Sequence, residues 1–197
     1  MERVINIIGL GPSACIVPDH GENWVLNVSY KKIIGKKIDK IFFFDDYNLI
    51  VNQDSTQVPT DYNITHCIKD NPEIEIISRV DDKIIDLKGN ILANIKGYPL
   101  DEARNLAYGG YFTSTIAYTI CYAILQKVDR IRLYGFEIWT GSDANEYNYQ
   151  RPCIDFWIAF ALGRGIQVEV PYMLMQNISN NQNYYGYVKR ELSKNGR

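Results

Sequence analysis

RVINIIGLGPS, residues 3–13, decides the fold. Residues 3–10 form a β-rich apolar run of the kind a strand covered on both faces shows. It breaks at once into Gly9-Leu10-Gly11-Pro12-Ser13. Glycine lacks the Cβ that would keep a phosphate from backbone N–H groups. Proline suits a first helical position, where its missing N–H costs nothing, and a serine hydroxyl can reach a phosphate oxygen. A tight strand-to-helix turn that binds nothing could have the same residues. Position favours the functional reading, because open α/β sheets hold ligands at the carboxyl ends of their strands.

Outward from this stretch, Trp24–Val28 and Ile41–Phe44 follow at intervals too short for long helices and read as neighbouring strands. After Asp45-Asp46 the sequence turns polar to about Asn71. Ile74–Ile77 and Lys83–Leu87 then read as short strands of a lid or insertion spanning about 47–105. Residues 111–127 carry apolar residues at helical spacing behind Thr113 and Ser114, good N-cap types. Ile131–Phe136 is a further buried strand, Cys153–Leu162 a further helix ended by Gly163 and Gly165, and Ile166–Val170 a last strand. The alternation predicts an α/β fold, a Rossmann-like, mostly parallel sheet flanked by helices. Residues 1–176 form the single domain, and 177–197, rich in Asn, Gln and Tyr, form a C-terminal tail.

The 197 residues are 46% hydrophobic, enough for one well-filled core. A net charge of −2 supplies no global positive field, which argues against duplex nucleic acid as a partner. No stretch reads as a membrane span or signal peptide, so a cytoplasmic protein is expected. Cys15, Cys67, Cys121 and Cys153 lack metal-ligand spacing, and His20 and His66 read as surface residues, so no metal site of cysteine or histidine is expected. Fifteen tyrosines and three tryptophans imply rings in half-polar surroundings.

Gly9–Ser13, Asn27 after the second strand, Gly35-Lys36-Lys37-Ile38-Asp39 leading into Ile41–Asp45, Thr113-Ser114 opening a helix, and Asp129–Glu137 with tyrosines soon after occur in a particular order. In that order the chain resembles the bacterial family 42 sialyltransferases. It is also similar to phage and archaeal proteins with a GxGPS Rossmann domain, among them 6-hydroxymethylpterin pyrophosphokinase-like proteins. The resemblance covers two blocks, 3–46 and 111–171. It implies that Gly9, Gly11, Pro12 and Ser13 hold the nucleotide phosphate and ribose, and that Asn27, Thr113 and Ser114 reach the same ligand. Gly135 and Phe136 would wall the base or ribose, and Tyr147 and Tyr149 would meet the leaving phosphate. Trp139, in the polar loop after Ile131–Phe136, would stack with them over the strand ends. A valine at Gly11 is expected to abolish nucleotide binding and leave the sheet intact.

The chain also departs from that pattern. Sialyltransferases of this kind keep a histidine base between the late tyrosines and the final helix, and residues 146–155 contain none. The usual aspartate after the late strand is Glu137, and the glycine after Thr-Ser is Thr115. Asp45, Asp46 and Glu137 are left as candidate catalytic groups, the first two at a strand end, where they could work as acid and base or hold Mg²⁺ across phosphates. No cofactor is otherwise indicated. Two functions follow: group transfer from a nucleotide or nucleotide-sugar donor, or capture of a nucleotide signal of host defence by a phage-type, anti-defence protein without catalysis. The expected partner in both is a nucleotide or nucleotide-sugar, and a homo-oligomer is left open.

Overall fold

The computed structural model describes residues 2–44, 64–85, 88–107, 110–137 and 144–170, with backbone alone for 144–149. The expected tail, 177–197, lies outside them. Eight strands are seen among the described residues: β1 Val4–Ile8, β2 Glu22–Leu26, β3 Lys40–Phe42, β4 Glu75–Ser78, β5 Asp82–Ile85, β6 Ile91–Gly97, β7 Arg130–Tyr134 and β8 Gln167–Glu169. They form one sheet in the order β5-β6-β4-β3-β2-β1-β7-β8. Every pairing is parallel except β5 with β6. The expected α/β fold is the one observed.

β1 is apolar apart from Asn6 because both its faces are covered. Ile5 and Ile7 join Trp24, Leu26, Ile131 and Leu133 on one face. That face is roofed by two helices, α3 Thr115–Leu125 and α4 Ala144–Gly163. Ile8, Val25, Ile41 and Phe43 point to the other face. Its cover is slighter: the 3₁₀ turns Pro12–Ile16 and Ser29–Lys32 and the short helix α1, Thr65–Asp70. The short β1–β2 and β2–β3 intervals hold those turns in place of full helices, as the sequence spacing requires. Asn6 interrupts the apolar run and is wholly buried. Its Nδ2 donates to the His20 carbonyl and to Asn23 Oδ1, both at 3.0 Å, so the donor end of this buried amide is paired.

One expectation needs correcting. β4, β5 and β6 fall inside the stretch read as a lid, yet they widen the main sheet: β4 pairs with β3 and β6 with β4, both in parallel. The misreading has a physical source, since β5 and β6 lie at the sheet edge with mostly exposed or half-buried residues and carry no continuous apolar run. β6, α1 and a short helix α2, Leu100–Leu106, have no counterpart in the sequence reading.

Glu75 ties three of these strands together, pairing with Lys40 of β3 and, at 2.9 Å, with Lys96 of β6. Burial alone would raise its pKa, but hydrogen bonds and Coulombic attraction from both lysines hold it below the ordinary carboxylate value. A lowered pKa makes the pairing stabilising above the usual carboxylate range, and the contribution is lost as pH falls through the folded-state pKa. Glu75→Gln is therefore expected to cost about 0.5–1 kcal/mol at neutral pH, converging on wild type in acid. Denaturant titrations over a pH series check this; a constant gap between the two proteins would refute it.

Candidate functional site

Strand order turns outward in both directions from β1, toward β2 on one side and β7 on the other, so the β1/β7 boundary is the topological switch point of the sheet. The loops leaving these two strands are bonded to each other. Gly9 N–H donates to the Tyr134 carbonyl at 2.7 Å and Gly11 N–H to the Gly135 carbonyl at 2.9 Å. In return Gly135 N–H donates to Ser13 Oγ at 2.7 Å, and Ser13 N–H donates to Glu137 Oε1 at 2.8 Å. Pro12 opens its 3₁₀ turn behind Gly11, as its backbone suits.

This clasp explains the glycines. A Cβ on Gly11 would lie 1.9 Å from Glu137 Oε2 and 3.0 Å from the Gly135 carbonyl. One on Gly135, whose φ is +77°, would lie 2.6 Å from the Gly9 oxygen. What approaches the GxGPS loop closely is thus the protein's own Glu137, only 5% exposed, together with the Gly135 backbone. The amides of Gly9, Gly11 and Ser13 are all donated within the chain. Nothing in the sequence signals this, because Glu137 meets Ser13 across 124 positions.

The other candidates distribute along the same carboxyl edge. Asn27 follows β2 with φ +50°, a left-handed conformation asparagine accepts, and its N–H donates to the Phe42 carbonyl at 2.9 Å. Beside it Ser29 Oγ donates to the Ile8 carbonyl at 2.6 Å and accepts the Leu26 N–H at 3.0 Å, fixing the ends of β1 and β2 together. Ser114 is the N-cap of α3 with extended backbone, preceded by Thr113, and the Ser114 side chain caps no amide of the helix. Phe136 is 9% exposed and packs in the main core, its ring against Gly9, rather than forming an open wall.

Asp45, Asp46 and Trp139 lie outside the described residues. Tyr147 and Tyr149 were expected in a loop, but the backbone there is already helical, since α4 begins at Ala144. Their side chains lie outside the described residues. Among the described residues no three His, Cys, Asp or Glu side chains gather into a group that could hold a metal. Nor is any helix there long and apolar enough to cross a membrane.

A column of rings fixes the α3 end of the site. Phe44 stacks on Tyr118 at 4.5 Å, Tyr118 on Phe112 at 4.4 Å, and Phe112 on Trp157 at 5.1 Å, with interplanar angles of 13°, 5° and 19°. Trp157 Nε1 and Cys153 Sγ both donate to the Tyr111 carbonyl, at 2.6 and 3.0 Å. The segment carrying Thr113 and Ser114 is thereby held between β3 and α4. Tyr98 hydroxyl donates to the Tyr118 carbonyl at 3.0 Å, and burial raises the pKa of Tyr98 so that it stays a donor.

Sequence reading missed Arg79. It follows β4, is exposed, and donates from Nη2 and Nε to the Phe44 carbonyl at 2.7 and 3.2 Å. Neighbouring Ser78 Oγ donates to the Phe43 carbonyl at 2.6 Å. Taken as part of a lid, this arginine gives no reason to be placed beside the site. A cavity of about 640 Å³ lined in part by Lys127, Asp129 and Arg164 opens at the amino ends of β7 and β8, the end of the sheet where such folds do not hold ligands.

Set beside solved structures, the chain superposes on the sialyltransferase CstII from Campylobacter jejuni in complex with the substrate analogue CMP-3FNeuAc. The TM-score is 0.56 at 15% identity, covering 90% of this chain and 84% of that one. The chain has the fold of that sialyltransferase. A structure of the same Campylobacter jejuni enzyme in complex with cytidine-5'-monophosphate matches with a TM-score of 0.51 and 16% identity, covering 90% and 83%. No family model matches the chain, and no curated protein matches it.

Proposed function

We propose that the chain binds a nucleotide or nucleotide-sugar across the crevice between the β1 and β7 loops and uses it as donor in group transfer. One observation carries this reading: two glycine loops bonded together at the switch point, where open α/β sheets take their ligands. Gly9–Ser13 and Gly135 shape the floor. With the loop amides already donated, the ligand's phosphate is assigned to Asn27 and to the amino end of α3 at Thr113 and Ser114, where backbone N–H groups and the helix dipole favour an anion. Glu137 is a positioning residue: its carboxylate holds the Ser13 amide beneath the loop and does not face a substrate. Asp45 and Asp46 remain the carboxylates for acid–base work or for Mg²⁺ bridging phosphates, and Tyr147 and Tyr149 the hydroxyls for a leaving phosphate.

A second reading, capture of a nucleotide without turnover, is favoured by that placement of Glu137 together with the absence of histidine from residues 146–155. Calorimetric titration of the full chain with CMP, UDP, ADP and GDP, each against its nucleoside, tests the shared premise. At least one nucleotide is expected to bind more tightly than its nucleoside, and binding by none would refute both readings. Release of free sugar from a bound nucleotide-sugar would then favour transfer over capture. No turnover is expected with CMP-sialic acid.

A further inference from the structure

At the amino end of the sheet α3 and α4 close in the same way. In α3 the Lys127 N–H donates to the Ile124 carbonyl at 3.0 Å and the Val128 N–H to the Ala123 carbonyl at 3.4 Å. In α4 the Gly165 N–H donates to the Leu162 carbonyl at 2.9 Å and the Ile166 N–H to the Ala161 carbonyl at 3.1 Å. Such a paired closure turns the chain out of a helix through one left-handed residue, a place that glycine takes without steric cost. α4 has Gly165 there, with φ +83°, but α3 has Lys127, with φ +53°. A lysine takes that backbone only with strain, and the fold keeps it on the lining of the cavity of about 640 Å³ that the two helix ends share. Folds of this class do not place their ligand at this end, so a site here is an addition of this chain's own.

The buried residues Ile124, Val128 and Ile166 supply the apolar part of the lining, and charges of both signs surround them. Lys127 and Arg164 have no carboxylate partner among the described residues. Arg164 is restrained by the Phe160 ring, 4.8 Å below its guanidinium. Glu2 is taken by Arg130 at 2.9 Å. Asp129 accepts the Arg3 N–H through Oδ2 at 2.6 Å, which leaves Oδ1 as an open acceptor. The carboxyl ends of the two helices add partial negative charge on the same side as Asp129. An anion alone would meet Asp129 and two negative helix ends, and a cation alone would meet Lys127 and Arg164. A molecule with one charge of each sign meets neither obstacle. We infer that the cavity is a second binding site, independent of the nucleotide crevice, for a small zwitterion: an α-amino acid with an apolar side chain. Its carboxylate pairs with Lys127 and Arg164, its ammonium with Asp129, and its side chain packs on Ile124, Val128 and Ile166. The volume falls within the range of about 300–1,000 Å³ usual for small-molecule sites.

Leucine and its two truncated relatives separate the contributions: isocaproate keeps the carboxylate and lacks the ammonium, and isoamylamine keeps the ammonium and lacks the carboxylate. Each is titrated by calorimetry into the full chain as wild type, Lys127→Gly and Asp129→Asn. Wild type is expected to bind leucine about tenfold or more tightly than either relative, since each lacks one charge-assisted contact. Lys127→Gly relieves the left-handed strain, so it is expected to melt no earlier than wild type and yet to bind leucine about tenfold more weakly. Asp129→Asn keeps an acceptor for the Arg3 N–H, and is expected to weaken leucine by a similar factor without weakening isocaproate; it decides the matter if the glycine loosens the helix end. Failure of wild type to bind leucine, equal binding of leucine and a truncated relative, or leucine affinity unaltered in both variants overturns the site.

Discussion

Valine at position 11 is expected to lower stability by about 2–4 kcal/mol, and not merely to block a ligand, because the space over Gly11 is filled by the protein itself. Its Cβ would meet Glu137 Oε2 at 1.9 Å and the Gly135 carbonyl at 3.0 Å, so either the carboxylate leaves the Ser13 amide or the two loops part. The expectation that such a variant keeps an intact sheet is therefore revised. A control isolates the cause. Glu137→Ala alone is expected to cost about 1–3 kcal/mol, since the Ser13 N–H loses its acceptor. Combined with Gly11→Val it should cost less than the sum by about 1 kcal/mol or more, because the obstructing oxygen has gone. Denaturant titration of the four proteins measures this coupling; strict additivity would mean that Gly11 and Glu137 do not share the seat.

Trp157→Ala is expected to have the largest effect, about 3–5 kcal/mol, for removal of a wholly buried indole. The loss should also be local. Trp157 ends the ring column and holds the Tyr111 carbonyl through Nε1, so its removal frees the segment leading into α3. Amide exchange in the first turn of α3 should quicken well beyond the global change, and nucleotide affinity should fall with it. Trp157→Phe, which keeps a ring and loses the Nε1 bond, is expected to cost less, with about 1 kcal/mol attributable to that bond. Unaltered protection of the α3 first turn in a folded Trp157→Ala protein would remove the column's positioning role.

The fold is legible where burial is complete. β1 is covered on both faces and reads as an apolar run broken only by Asn6, β7 alternates buried Ile131 and Leu133 with half-buried Arg130 and Arg132, and α3 reads as an apolar helix because most of it is buried. The amino-terminal half of α4 is not legible: residues 144–152 are polar and end in Pro152, which sits inside the helix and reads locally as a break. β4 and β5 are visible as short strands, but their place in the sheet is not, since β4 is a four-residue run whose partners β3 and β6 its own sequence does not name and β5 is a mostly exposed edge strand. At the site, Gly9–Ser13, Asn27, Thr113 and Ser114 can be placed along one sheet edge because each follows or precedes a recognisable element. The reason for the glycines cannot be read, because it depends on Glu137 arriving from the far half of the chain, and local composition does not encode that distance. Arg79 is hidden for the same reason, its neighbourhood being set by Phe44 and Tyr118.

The position of β1 bears on how the molecule is made. Of these strands β1 leaves the ribosome first, and β2 and β3 can join it soon after, through connections short enough to close early. Its other edge waits for Arg130–Tyr134, its partner at the centre of the crevice. During synthesis an apolar strand with one open flank must persist while more than a hundred further residues are added, and closing so long a loop is slow as well as entropically costly. Growing chains that end before β7 present that flank to one another, an invitation to pair edge to edge. The two sides of the crevice thus come from opposite ends of the synthetic timetable, and the site is among the last features of the sheet to exist.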